Sequence, residues 1–293
     1  MRVARIVRDG KPETFALVDT SGKLVVTREE ITKQTGLRLP HSLEDFLYSA
    51  YTDKVKDHWE KLSFVQGLHE FHILPPITKA FKVICLAFNY SDQTSWVRFG
   101  KSPPKDPVIY MKSRTSLVGP YDKIICPKFV KQLDYEGELA LAIRKMCKRA
   151  SEADALNYVA GYFVLNDISA RDIQFIDKQY TRAKSFDTFG PCGPWITTLD
   201  EIPDPHNLHI TTKVNGDIRQ DSTTANLVLN INRIIHSLSK AMTLEPSDII
   251  STGTPTGTAL SLSSHLKYLQ DGDIVEVEIE RLGKIQNQVV FAD

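Results

Sequence analysis

The sequence predicts an α+β protein, mostly β, with a small α+β domain over residues 1–75 and a larger, mostly-β domain over residues 76–293. Three observations carry that expectation. Short apolar segments, several of them alternating and separated by Gly, Asn and Pro, recur along the chain, the pattern of half-buried strands. Asn215-Gly216 sits inside the alternating run His209–Gln220, and Asn-Gly is the preferred pair for a type I′ hairpin turn. Ile231, Ile234, Ile235, Leu238 and Met242 recur at helical spacing and stop before Pro246, which marks one amphipathic helix with an apolar core stripe.

Taken in order, Val3–Val7 and Thr14–Val18 read as two strands around a turn at Asp9–Pro12, and Leu24–Val26 as a third after Ser21-Gly22. Ser42-Leu-Glu-Asp45 reads as a capping box opening a helix through Phe46, Leu47 and Ala50. His41, His58, His69 and His72 are not at metal-ligand spacing and read as surface or packing residues. Leu74-Pro75-Pro76 is the expected boundary, since paired prolines end regular structure. Beyond it, residues 81–88 form a buried strand, 89–96 a short polar segment that can be helical, and 101–107 a loop. Pro107–Lys112 and Ile124–Pro127 are strands, and Ser151–Asp154 caps a helix running to Val159. Residues 173–182 read as a helix or ordered loop, and 184–194, with two glycines and two prolines, as an irregular segment suited to lining a cavity. A final hairpin spans Asp271 to Phe291 around Leu282-Gly283.

Composition excludes several classes. With 36 Lys+Arg against 36 Asp+Glu and a sequence pI near 7.1, no global field points to nucleic acid or to a membrane surface. No apolar run reaches the ~18 residues a span requires. The N-terminus lacks a signal-peptide core. Cys85, Cys126, Cys147 and Cys192 are scattered, which reads as reduced, buried thiols of a cytoplasmic protein.

The chemistry concentrates in residues 131–174. Glu136 and Glu138 are two apart, just before the apolar run Leu139–Ile143, so on a strand both carboxylates face one side. Two like charges that close call for a neutralising cation. Asp167 closes another apolar segment, Gly161–Asp167. Two Glu and one Asp form an all-oxygen set that suits Mg²⁺ or Mn²⁺, with Ca²⁺ as a further hard ion, ahead of Zn²⁺. After Asp167, Ser169 is placed to cap a helix that presents Arg171 and Gln174 on one face, a fork suited to an organic anion. An E-x-E pair alone is more often a solvated strand edge; the segment after Asp167 is what lifts it above that reading.

These residues also carry a resemblance. Asp134-Tyr-Glu136-Gly-Glu138-Leu-Ala, Tyr158-Val-Ala-Gly-Tyr162, Asn166-Asp167-Ile-Ser-Ala-Arg171-Asp172-Ile-Gln174, Lys184-Ser-Phe-Asp187-Thr-Phe-Gly190-Pro and Thr252-Gly-Thr-Pro255 resemble, in order and spacing, the fumarylacetoacetate hydrolase family over about residues 76–290. The resemblance implies a mixed β-roll catalytic domain, a homodimer, and a divalent metal on Glu136, Glu138 and Asp167. It implies a small 2-oxo acid or β-diketo acid as substrate, handled through a metal-stabilised enolate, nominally with hydrolysis of a C–C bond as for an acylpyruvate. Arg171, Gln174 and Lys184 match family positions that hold substrate oxygens or move protons; a lysine desolvated beside a cation has its pKa lowered. Tyr110 and Lys112 are expected at the same cavity, and Gly253 and Thr254 offer backbone N–H groups for a carboxylate. The Thr252–Pro255 turn lacks a Walker A pattern, which argues against a nucleotide phosphate.

One departure stands out. Counting from Asn89-Tyr90, Gln93 stands where the family hydrolases carry a His, and Trp96 where they carry its Glu partner. Gln is no general base near neutral pH, and no His lies between 73 and 205. Tautomerase, isomerase, decarboxylase or 2-keto-3-deoxy sugar-acid dehydratase chemistry therefore competes with hydrolysis. Ser116–Tyr121 and the N-terminal extension resemble the branch associated with oxaloacetate tautomerisation. A different class, a non-catalytic protein binding metal and 2-oxo acid, stays open on the residues alone.

Overall fold

The computed structural model describes residues 1–92, 103–261 and 267–292. Its largest sheet has twelve strands. Along its main path run Gln66–Gly67, Leu24–Thr27, Thr14–Val18, Arg2–Val7, Gly190–Thr197, Val159–Asn166, Gly137–Ile143, Ile249–Ser251, Val83–Ala87 and Val108–Lys112. The first three hairpin partners come from residues 1–75, and Arg2 and Val3 pair with Thr197 and Ile196, so one sheet runs through both parts of the chain. A second, five-stranded sheet orders Asp217–Thr223, His209–Val214, Ile274–Ile279, Gly283–Ala292 and Ile124–Pro127. Helices are short and few among the described residues; the longest is Ile231–Ala241. The protein is α+β and mostly β, as expected.

Local sequence explains most elements. Asn215 and Gly216 both take positive φ, 52° and 86°, as a type I′ turn demands. Asn230 caps the helix Ile231–Ala241 through Arg233 N, and Ile231, Ile234, Ile235 and Leu238 are buried. Gly137–Ile143 and Val159–Asn166 are buried at every residue because sheet neighbours flank both edges and core packs both faces.

Four local expectations shift. Ser42 does cap a helix, but it ends at Leu47, and the complete capping box belongs to Thr27 and Glu30 at the head of Arg28–Thr35. The helix expected up to Val159 is a 3₁₀ turn, Ala155–Tyr158, because the strand starts at Val159. Ser169 is not a cap: it lies in the two-residue strand Ser169–Ala170 and its hydroxyl donates to Asp167 O, so the helix Arg171–Asp177 begins uncapped by a side chain. Within 184–194, Gly190 onward is strand, since Gly190–Thr197 pairs with Val159–Asn166.

Candidate functional site

Strand register builds the site. Gly137 pairs with Asn166 and Glu138 with Leu165, so Asp167 leaves its strand beside Glu136. Asp167 N donates to Glu136 O at 2.8 Å, and Glu136 N donates to Asn166 Oδ1 at 3.1 Å. One carboxylate oxygen each from Glu136, Glu138 and Asp167 lies within 4.8 Å of the others, and all three residues are buried.

Three cations converge on these acids. Lys184 Nζ donates to Glu136 Oε2 at 2.5 Å and to Asp167 Oδ2 at 2.9 Å. Lys112 Nζ donates to Asp167 Oδ1 at 2.6 Å and also to the Lys184 carbonyl. Arg171 is spread across three partners: Glu136 Oε1 at 2.5 Å, Asp134 Oδ2 at 2.9 Å and Gln174 Oε1 at 2.9 Å. Tyr110 donates its hydroxyl to Asp167 Oδ2 at 2.5 Å, packs against Tyr180 in a tilted ring pair at 5.0 Å, and lies under Lys184 Nζ at 5.0 Å.

Glu138 is held differently. Its Oε2 accepts from Ser251 Oγ at 2.5 Å and Gly253 N at 3.1 Å, both neutral donors. Its Oε1 is buried with no partner among the described residues. Burial, Asp167 and Glu136 push its carboxyl well above the usual glutamate range. Burial also opposes ionisation of Asp167, but Lys112 and Lys184 outweigh it and hold that carboxyl down at about 2. Burial pulls the Lys184 ammonium down while Asp167 and Glu136 raise it further, so its net shift is upward.

The donor set fits a hard divalent ion. It is all oxygen, it is buried, and one ligand oxygen is an orphan acceptor that a cation would satisfy. With Glu138 ionised, as it would be under a cation, four buried carboxylates, Asp134, Glu136, Glu138 and Asp167, face three buried cations, Lys112, Arg171 and Lys184, which leaves the cluster one positive charge short.

The residues singled out from sequence are placed as follows. Glu136, Glu138, Asp167, Arg171, Gln174, Lys184, Tyr110 and Lys112 all meet at this cluster. Gly253 turns its N–H to Glu138, and Thr254 donates its hydroxyl to Gly137 O at 2.9 Å, so both engage the start of the protein's own acidic strand. Gln93 and Trp96 lie outside the described residues. Sequence reasoning missed Asp134, whose oxygens accept from Arg171, Ala259 N and Leu260 N, and Ser251 and Tyr180. Asp134 was in plain view two residues before Glu136; Ser251 and Tyr180 carry no local signal of their own.

Fold and site together define an enzyme with a buried, oxygen-ligand acid centre on a mostly-β scaffold. Residues 82–290 match the fumarylacetoacetate (FAA) hydrolase C-terminal family. The mitochondrial oxaloacetate tautomerase of Rattus norvegicus is 45% identical over 220 residues, covering 74% of this chain and 69% of that protein. The solved 5-carboxymethyl-2-hydroxymuconate delta-isomerase from Mycobacterium smegmatis superposes with a TM-score of 0.78 at 33% identity over 100% of both chains. Maleylpyruvate hydrolase from Sphingobium sp. SYK-6 does so at 0.80 with 28% identity, again over 100% of both. This chain belongs to the fumarylacetoacetate hydrolase family. Its relatives carry isomerase, tautomerase and hydrolase names. No helix among the described residues is long and apolar enough to cross a membrane.

Proposed function

We propose that this enzyme interconverts the keto and enol forms of a small dicarboxylic 2-oxo acid of the oxaloacetate class, with Mg²⁺ or Mn²⁺ on Glu136, Glu138 and Asp167. The observation that carries the reading is an intact acid–lysine cluster in a chain with no His between residues 73 and 205. Enolisation needs a polarised carbonyl and one group that moves a proton; hydrolysis also needs a base for water. The name of the Rattus relative points the same way.

A cation at this triad would act as a Lewis acid toward a bound carbonyl. The chain supplies the rest. Charge balance favours an anionic substrate: with a divalent ion the cluster passes from one positive charge short to one in excess. Three nitrogens of Arg171 already donate to protein oxygens, so Arg171 holds Glu136 and Gln174 in place. The Gln174 amide nitrogen makes no bond to another described residue and is the donor offered to a substrate oxygen. Lys184 Nζ carries the mobile proton. In ketonisation it protonates the enol carbon and recovers a proton from the enol hydroxyl, so the reaction is a net isomerisation. Burial keeps bulk water from competing for that proton.

The test strips the protein with EDTA, restores Mg²⁺ or Mn²⁺, and follows enol absorbance with oxaloacetate and with an acylpyruvate while products are analysed for cleavage. Metal-dependent loss of enol without cleavage supports the reading. Cleavage of the acylpyruvate would sink it in favour of hydrolysis.

A further inference from the structure

The Glu136-Gly137-Glu138 segment, where the strand Gly137–Ile143 begins, is held by a residue from the other sheet. In the hairpin His209–Val214/Asp217–Thr223 the ladder slips: Thr212 pairs with Gln220 and Lys213 with Ile218, which makes Arg219 an extra residue. Such a bulge re-aims the side chains beside it. Here Ile218 is 59% exposed, whereas Gln220 is 1% exposed. An amide that deep is tolerated only when its hydrogen bonds are made.

Gln220 makes all four. Its Oε1 accepts from Gly137 N at 2.9 Å and Thr212 Oγ1 at 2.7 Å. Its Nε2 donates to Thr254 Oγ1 at 2.8 Å and Pro255 O at 3.0 Å. Thr254 Oγ1 in turn donates to Gly137 O at 2.9 Å. The ring is closed: the N–H and the C=O of Gly137 are each gripped, one by Gln220 directly and one through Thr254. Gly137 is the residue between the two glutamates. A Cβ there would come within 2.4 Å of Thr212 Oγ1, so glycine is what lets the second sheet approach this closely.

We infer that Gln220 is a positioning residue for the acid centre: it fixes the peptide between Glu136 and Glu138, and so the spacing at which their carboxylates meet a cation. It touches neither cation nor substrate. This rests on the metal assignment of the proposed function, but not on which reaction the enzyme performs. The alternative, that Gln220 merely fills the hairpin core, predicts a loss of stability with no change in metal affinity.

The experiment measures Mn²⁺ binding by calorimetry, without substrate, for the full chain and for Gln220→Met, Thr254→Val and Thr254→Ser. Gln220→Met and Thr254→Val should each weaken Mn²⁺ binding roughly 10–100-fold, the range for groups that orient a ligand. At saturating Mn²⁺, kcat should return to within about threefold of the parent, since the ligands themselves are intact. Thr254→Ser keeps the hydroxyl and should stay within about twofold. The double variant Gln220→Met/Thr254→Val should bind about as weakly as the worse single, because both open the same ring. Mn²⁺ affinity within twofold of the parent in both Gln220→Met and Thr254→Val, whatever their Tm, overturns the inference. Should Gln220→Met not fold, the Thr254 pair decides alone. A protein inert toward every 2-oxo acid that still shows these shifts keeps the role of Gln220 and loses the tautomerase reading; an active tautomerase without the shifts does the reverse.

Discussion

The two ends of the strand Gly137–Ile143 are equally buried and are held by opposite physics. Toward Ile143, Leu139, Leu141 and Ile143 pack against Ile234, Ile235, Leu238 and Ile250 in one apolar cluster, and burial itself is the favourable term. At the Gly137 end, Glu138 is fully buried beside Glu136 and Asp167, where burial is the unfavourable term. The apolar end would persist if the pocket were filled with hydrocarbon. The acidic end is tolerable only through Lys112, Arg171, Lys184 and, by our reading, a metal ion. The difference teaches where the fold stores stability and where it gives stability up to hold charge in place.

Four substitutions sharpen that contrast. Lys184→Met should lower kcat by about a thousandfold at saturating Mn²⁺, within the 10²–10⁴ range for a proton-transfer group. Steady-state turnover of enol checks it, and a loss below tenfold would remove Lys184 from the proton path. At the apolar end, Leu141→Ala should cost about 2–5 kcal/mol of stability by urea unfolding while leaving Mn²⁺ affinity within about twofold. A large loss of metal affinity there would mean the two ends are mechanically coupled.

Glu138→Gln should weaken Mn²⁺ binding by more than about 100-fold. Its effect on the EDTA-treated protein has the opposite sign. A carboxyl whose folded pKa is raised favours folding only while protonated. Metal-free protein should therefore lose stability as pH climbs above ~4.3 toward the raised value. Glu138→Gln should remove part of that loss, so that in EDTA the variant is the more stable of the two once the pH is high enough to ionise Glu138. Urea midpoints across the pH range decide it; a variant less stable at every pH would mean Glu138 is not under charge strain. The smallest effect is expected of Ser251→Ala, which deletes the 2.5 Å bond to Glu138 Oε2 but leaves Gly253 N in place. Mn²⁺ affinity should fall about tenfold by calorimetry, and an unchanged affinity would show that the Gly253 N–H alone orients Glu138.

Much of this was legible in the chain and some was not, for identifiable reasons. Period-two patterning is local, so Glu136 and Glu138 could be put on one side of a strand from their spacing alone, and Asp167 at the end of its apolar run. Asn215-Gly216 determined a hairpin turn because both residues tolerate positive φ, and the stripe Ile231–Leu238 determined its helix. Helix starts were less legible: Ser169 looked like a cap but lies in a strand whose partner residue, Asp134, is 35 positions earlier in the chain and so invisible to a local reading.

What the sequence by itself determined, then, is the class of fold, the three acids, and the company they keep in the Arg171–Gln174 and Lys184 motifs. Only the tertiary structure decided which cation meets which acid: that Lys112 and Lys184 share Asp167, that Arg171 answers to Asp134 as well as Glu136, and that Glu138 is left to neutral donors and one unpartnered oxygen. It also decided that a glutamine from a separate hairpin closes the ring around Gly137. A lone Lys, Ser or Gln has no periodicity to betray it. Its role is set by sheet order and by a one-residue slip in a distant ladder, and those are properties of long-range pairing that no local window contains.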